Sequence, residues 1–326
     1  MRSYILLGCA LFAGAAQAAP PAMSLPDIVP IPKALNLGST SFFDGFGNVD
    51  GGWTLLQYGR YEDIGRINGA QGKPSPYFKG TDLQVLASLT QISYSAPVHP
   101  FGGDTLGFSA LLSFSNANAH FAADSPVRLR DNGFNVGDMV WGPIYQSRRY
   151  MQDGRAVFSW RFQVLVMSPS GGFNPQRKLN QSAGYWGINP YIAFTWLPTA
   201  KLEFSSRINY QYNFRTSNVA VPPPIPGITF KSGQAGDLIY ANFASSYQVS
   251  EKLHLGVNGY VLDQLTPDQA NGQVVPHSRA SALYFGPGGR YVFNKTNALN
   301  INLYRPIEAH NASSGTVLNF QYVHRF

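Results

Sequence analysis

From Trp53 to the C-terminus the chain alternates apolar and polar residues in run after run, and links between the runs are alternately short and long. The clearest run spans 202–215. Leu202, Phe204, Ile208, Tyr210, Tyr212 and Phe214 share one face, with Ser206 as the exception. Glu203, Ser205, Arg207, Asn209, Gln211, Asn213 and Arg215 share the other. Residues 156–167 behave likewise, with Phe158, Trp160, Phe162, Val164 and Val166 opposite Ser159, Arg161 and Gln163. A period of two is the signature of strands with two different surroundings. Further runs lie at 53–62, 82–96, 105–116, 136–148, 186–198, 236–248, 251–265, 280–294, 297–308 and 313–326, so twelve strands are expected. The run at 82–96 slips phase near Thr90, and Pro143, Pro190 and Pro287 fall inside runs, where bulges are expected because proline cannot donate to a ladder.

The links decide the architecture. Pro198-Thr199-Ala200, Val249-Ser250, Lys295-Thr296 and a few residues around Asp153-Gly154 are short; 63–81, 117–135, 169–185, 216–235 and 266–279 are long, with a brief last one at 309–312. Tight turns at one end and long loops at the other are the asymmetry of an outer-membrane barrel, and a soluble sandwich has no reason to keep it. Composition agrees. Charged residues make up 13% and aromatics 14%, too few charges for a disordered chain and many aromatics to turn outward. One cysteine excludes a disulfide scaffold, and beyond the first twenty residues no apolar run approaches the ~18 of a membrane helix. The fold class is all-β: a transmembrane antiparallel up-and-down β-barrel of about twelve strands, with ten or fourteen as alternatives.

Arg2, the apolar stretch from Ile5 to Ala16 and Ala16-Gln17-Ala18 have the form of a cleaved secretory signal, 1–18. Leu6-Leu7-Gly8-Cys9 mimics a lipidation box but follows too short an apolar run. Export to the outer membrane of a Gram-negative envelope is expected, with cleavage near Ala18. Residues 19–50, with prolines at 20, 21, 26, 30 and 32, read as a periplasmic extension, a plug in the lumen or a disordered leader; the barrel occupies 51–326. Leu318, Phe320, Tyr322 and the terminal Phe326 share a face of the last run, broken by His324. Phe320, Tyr322 and Phe326 form the signal expected to be read by the barrel assembly machinery.

Charged groups facing lipid near the midplane cost roughly 2–4 kcal/mol, so the arginine-bearing faces turn inward. The expected lumen and solute path is Arg161, Gln163, Leu165, Glu203, Arg207, Asn209, Gln211, Arg215, Asn258, Tyr260, Gln264, Arg290 and Arg325, joined by Asn300, Asn302, Asn319 and Gln321. Glu203 is the expected ion-pair partner of Arg207 or Arg161. Tyr260, Leu165 and Met167 would supply an apolar strip, and the excess of arginine over acid favours anionic or neutral polarizable solutes over cations. Twelve strands enclose a narrow lumen, between the filled interior of eight and the channel of sixteen.

An ordered series of short motifs, from about Gly137 to the C-terminus, resembles the outer-membrane transporters associated with the phenol meta-cleavage pathway. It comprises Gly137-Asp138, Trp141-Gly142-Pro143, Trp186-Gly187-Ile188-Asn189-Pro190-Tyr191-Ile192-Ala193-Phe194-Thr195, Tyr210-Gln211-Tyr212-Asn213, Lys231-Ser232-Gly233 with Gly236-Asp237, Leu255-Gly256-Val257-Asn258-Gly259-Tyr260, Gln264-Leu265-Thr266-Pro267-Asp268 and Phe285-Gly286-Pro287-Gly288. The resemblance implies a secreted barrel that passes small hydrophobic or aromatic compounds, and it carries no set of binding residues. In purely physical terms the same glycines and prolines suit turns, bulges and corners.

Other functions find less support. No Gly-x-Ser-x-Gly elbow, His-Glu-x-x-His pair or phosphate loop is present, and His254 and His324 belong to one rim while His120, His277 and His310 belong to loops. No catalytic residue, metal site or cofactor is therefore expected. An outer-membrane hydrolase is the lesser alternative, and a structural or adhesive barrel that moves nothing is the greater. The net charge of +7 is scattered, which speaks against nucleic acid. The expected partners are outer-membrane lipid, the assembly machinery and a small hydrophobic or aromatic solute, met by a monomer that conducts passively.

Overall fold

The computed structural model describes residues 29–220 and 229–326. The signal segment, the first prolines of the leader and Pro222-Pro223-Pro224 with Pro226 lie outside them. Twelve strands form the wall: β1 (Gly52–Ile67), β2 (Asp82–Ser95), β3 (Thr105–His120), β4 (Met139–Gln146), β5 (Arg155–Ser168), β6 (Gly187–Trp196), β7 (Leu202–Asn213), β8 (Leu238–Gln248), β9 (Leu253–Gln264), β10 (Ser281–Val292), β11 (Asn297–His310) and β12 (Ser313–Arg325). Each pairs antiparallel with its sequence neighbours. β12 returns to β1 from Thr54↔Arg325 to Ile67↔Ser313, which closes the sheet. Closure satisfies every edge, so the apolar last strand is paired on both sides.

Two-residue alternation and alternate link lengths produce this shape directly. Links after β2, β4, β6, β8 and β10 gather at one end of the barrel, the turn end; links after the odd strands gather at the other, the loop end. Two short segments extend the wall, Asn135–Val136 against β3 and Tyr150–Gln152 against β5. Gly233–Gln234, Gln269–Ala270 and Gln273–Val274 make a small separate sheet among the long links. The outward faces carry a large apolar surface. Trp53, Trp196, Tyr247, Tyr291 and Phe293 ring the turn end, while Phe134, Trp186, Tyr212 and Phe214 stand near the loop end, all exposed. An apolar band between two aromatic girdles is the exterior that a bilayer requires.

Pro143, Pro190 and Pro287 do not create bulges; the register shift between β10 and β11 lies between Leu283 and Tyr284, beside Pro306. Pairing of β4 with β5 skips Gly142-Pro143, that of β6 with β7 skips Asn189-Pro190, and that of β10 with β11 skips Gly286-Pro287, each with the register unchanged on either side. Inward amides occupy two of these gaps. Asn189 Nδ2 donates to Tyr210 O at 2.8 Å, and Gln163 Nε2 donates to Gly142 O at 3.1 Å. A side-chain N–H thus satisfies a carbonyl beside the interrupted pairing, so no extra residue is needed.

The phase slip near Thr90 is not a bulge either, because β2 keeps one register with both neighbours. Its polarity is inverted instead. Leu83, Val85, Ala87 and Leu89 lie on the face that lines the interior, while Thr90 on the outward face donates to Gln57 Oε1 at 2.7 Å, and Gln57 donates to Ser88 Oγ at 3.0 Å. The outward polar groups satisfy one another, which lowers the cost of placing them toward an apolar exterior.

Candidate functional site: a partitioned lumen

Residues 29–51 run through the barrel from the loop end to the turn end. Val29 packs with Ala183, Tyr185, Ala235 and Val275 among the long links, and Pro30 O accepts from Tyr185 OH. Leu35 then joins Val140, Met167, Leu238, Tyr240 and Leu262. Leu37 packs on the stacked pair Tyr260 and Tyr284, whose ring centres are 4.8 Å apart. At Gly38 (φ +75°) the chain bends between aromatic rings, where a Cβ would meet Tyr260 Cδ1 at 2.7 Å and Tyr304 Cε2 at 2.9 Å. Both the left-handed backbone and the space call for glycine.

Backbone polar groups of this segment need partners, and the inward side chains provide them. Leu37 O accepts from Arg60 at 2.7 Å, Gly38 O from Tyr304 OH at 2.9 Å and Asn319 Nδ2 at 2.7 Å, and Gly38 N donates to Asn242 Oδ1 at 2.9 Å. Nearer the turn end Phe43 N donates to Glu203 at 3.0 Å and Gly45 N to Thr195 Oγ1 at 2.9 Å, while Val49 O accepts from Thr105 Oγ1 at 3.1 Å.

The expected ion pair has a different acid. Asp44 accepts from Arg207 Nε and Nη2, both at 2.7 Å, and from Arg161 Nη2 at 2.8 Å. Glu203 sits instead among neutral donors, Phe43 N, Ser205 and Ser246. The reason is reach: Asp44 enters on the lumen segment between two arginines that project from different strands, whereas Glu203 already receives a backbone N–H and two hydroxyls. Tyr191 completes the group. Its ring lies 4.2 Å from the Arg207 guanidinium and 5.8 Å from that of Arg161. Its hydroxyl accepts from Arg161 Nε at 3.1 Å and donates to Gln163 Oε1 at 2.7 Å.

The remaining predicted residues also face inward, with one exception. Asn209 donates to Tyr240 O, Gln211 to Tyr212 O, Asn258 to Asn302 Oδ1, and Gln264 to Asp268. Arg290 donates to Asn300 Oδ1 at 3.1 Å and lies over the Phe43 ring, and Arg325 reaches Phe46 O at 3.5 Å near the turn end. Gln321 accepts from Asn300 Nδ2. Arg215 is the exception. β7 ends at Asn213, and Arg215 is exposed in the following link, 3.5 Å from Gln269. Phe320 and Tyr322 lie within β12, on the face opposite Gln321, and Phe326 lies just past its end.

The segment leaves two spaces. A cavity of about 420 Å³ in the loop-end half has an apolar wall of Ile64, Leu83, Val85, Leu89, Leu262 and Val317, with Tyr260 and Tyr284 at its side, and a polar lining that includes Arg60, Glu62, Asn132 and Gln181. A crevice of about 40 Å³ shares Leu35, Ser39 and Leu89 with it and continues past Leu111, Leu165 and Met167 to Tyr191 and Arg207. The strip expected from Tyr260, Leu165 and Met167 is thus divided between the two spaces. The apolar wall on β2 was not foreseen: a strand with apolar residues on both faces loses the alternation that marks an inward face, and the slip at Thr90 is its trace in the sequence. Asp44 was missed because a proline-rich segment carries no period. Among the described residues no three metal-ligating side chains converge.

A cavity with an apolar wall and fixed polar groups beside it is a usual form of a small-molecule site. By fold, the chain is similar to the COG4313 outer membrane channel from Pseudomonas putida F1, with a TM-score of 0.70 at 16% identity, covering 87% of this chain and 98% of that one. Weaker matches include the NanC porin (TM-score 0.40, 10% identity, 83% and 99% covered) and a deletion mutant of the TodX monoaromatic hydrocarbon channel (0.39, 12%, 86% and 92%). No curated protein is similar to it in sequence. Residues 64–322 match the model of the family described as "Putative MetA-pathway of phenol degradation", and the chain belongs to that family.

Proposed function

We propose that the protein is an outer-membrane channel through which small hydrophobic or aromatic compounds pass down their gradient into the periplasm. The observation that carries this reading is the cavity of about 420 Å³ with a wall of leucine, isoleucine and valine in a barrel whose other inward faces are rich in amides and charges. A wall built only for strength has no reason to desolvate leucine and valine against a cavity, because the same residues packed on one another would bury more surface. The loop end faces the cell exterior and the turn end the periplasm, the arrangement usual for such barrels. Residues 29–51 are the resting plug, held by the lumen contacts described above. The family description, which concerns phenol degradation, and the fold shared with an outer-membrane channel support the reading. The barrel acts as a monomer in outer-membrane lipid, delivered there by the assembly machinery acting on its last strand.

The test is uptake of p-cresol and of a monoterpene alcohol by liposomes carrying refolded protein, against empty liposomes. Selective acceleration is expected, and removal of residues 19–50 should raise conductance in planar bilayers. No acceleration by protein that still shows heat-modifiable migration would overturn the channel, and unchanged conductance after the deletion would overturn the plug.

A further inference from the structure

We propose that Arg161, Arg207 and Tyr191 form a binding site for the carboxylate of an amphipathic organic acid, and that Asp44 fills this site when the solute is absent. The inference deepens the channel reading, on which it rests, by giving the solute a head group.

The site already holds a carboxylate. Three charge-assisted hydrogen bonds of 2.7–2.8 Å converge on Asp44 from two guanidiniums, one of them with a forked pair of donors. Arg161 has an anchor besides Asp44, whereas both hydrogen bonds of Arg207 go to Asp44 and its further support is the face of the Tyr191 ring. Tyr191 lies against both, accepts from Arg161 Nε, and is itself fixed by Gln163, which also donates to Ser109 Oγ at 2.7 Å. Such a support keeps donors aimed at one point and reduces the ordering cost of binding.

Space for the rest of an amphiphile would come from the crevice of about 40 Å³ beside the site together with the room that Leu35, Asn36 and Ser39 of the segment now fill. The crevice at Arg207 and Tyr191 has Leu89, Leu111, Leu165 and Met167 along it beside Asn36, Gln91 and Asn189, and it shares Leu35, Ser39 and Leu89 with the large cavity. An acid whose carboxylate replaced that of Asp44 would lay its hydrocarbon body along this path. Leu35 and Asp44 belong to the same segment, so one displacement would vacate both the head-group site and part of the apolar path.

Charge selects the class of solute. Without Asp44 the two arginines have no acid partner, since Glu203 receives Phe43 N, Ser205 and Ser246. A neutral molecule there would leave buried cations unpaired, and a cation would add to the repulsion; a monoanion restores the balance. Asp44 thus acts as a tethered competitor, and a solute of this class releases the segment by the same contacts that hold it.

The experiment uses the full chain in detergent, titrated with sodium 4-isopropylbenzoate and, separately, with 4-isopropylbenzyl alcohol, with wild type compared with Asp44→Asn. The acid should bind Asp44→Asn at least tenfold more tightly than wild type and raise its unfolding temperature, while the alcohol binds both alike. Adding Arg207→Gln to Asp44→Asn should abolish the preference for the acid. Equal binding of acid and alcohol by Asp44→Asn, or no gain in acid affinity over wild type, would overturn the proposal. If Asp44→Asn does not reach the heat-modifiable folded form, wild type decides alone: preference for the acid supports the site and equal affinity overturns it. Liposome uptake separates the two readings. Faster passage of the alcohol without acid preference leaves the channel and removes the site; acid binding without passage of either compound leaves the site and removes the channel.

Discussion

Asp44 and Arg207 meet through two hydrogen bonds of 2.7 Å, 163 residues apart in the chain, with both side chains buried. This pair ties the lumen segment to the wall near mid-barrel. Breaking a buried ion pair by removing one partner costs about 3–5 kcal/mol, because the other charge stays desolvated. Arg207→Ala should therefore lower the temperature of heat-modifiable unfolding markedly and raise the open probability in planar bilayers. Arg161→Ala should do less, since Arg161 makes a single bond to Asp44 and is more exposed. Equal effects of the two variants would contradict this ranking.

Leu89 borders both the large cavity and the crevice. A Leu89→Trp side chain would fill the junction between them. Uptake of p-cresol by liposomes should fall several-fold, while barrel migration on gels stays as in wild type; uptake at the wild-type rate would place the path elsewhere.

Asn189 stands in for a ladder donor beside Pro190, donating to Tyr210 O and accepting from Tyr240 OH. Asn189→Ala leaves a buried carbonyl without that donor and should cost about 1–3 kcal/mol. Adding Pro190→Val, which supplies a backbone N–H, should recover part of the loss in equilibrium unfolding in urea. Asn189→Ala without effect would show that the gap needs no donor.

Asp138 lies in the link before β4, where its carboxylate accepts from Gly171 N at 3.2 Å and Ala183 N at 2.8 Å and so fixes the link between β5 and β6. Burial pushes its carboxyl above the usual carboxylate range, and its hydrogen bonds offset this only in part. A raised acid contributes stability below its ordinary pKa and loses that contribution as pH rises through the folded value. Protection of the Gly171 and Ala183 amides, corrected for intrinsic exchange, should thus fall as pH rises above the ordinary carboxylate range. Asp138→Asn should flatten the dependence, and the same slope in both proteins would assign it to another group.

The strands, their number and the two kinds of link were legible in the chain, because each is a local property. A face that alternates every second residue, as in β7 from Leu202 to Asn213, declares its two surroundings without reference to any other strand. The inward amides and arginines followed from the same period. Tertiary structure alone decided what fills the lumen and which acid meets which arginine. Residues 29–51 have no repeating pattern, and their place depends on carbonyls and N–H groups finding Arg60, Asn242, Tyr304 and Asn319 far along the chain. Glu203 was the nearest acid in sequence to Arg207, yet the wall holds Glu203 among hydroxyls and leaves the guanidinium free for a carboxylate arriving from within. The apolar wall of the cavity was hidden for a related reason: on β2 both faces carry apolar residues, and only closure of the barrel determines which of them surround empty space.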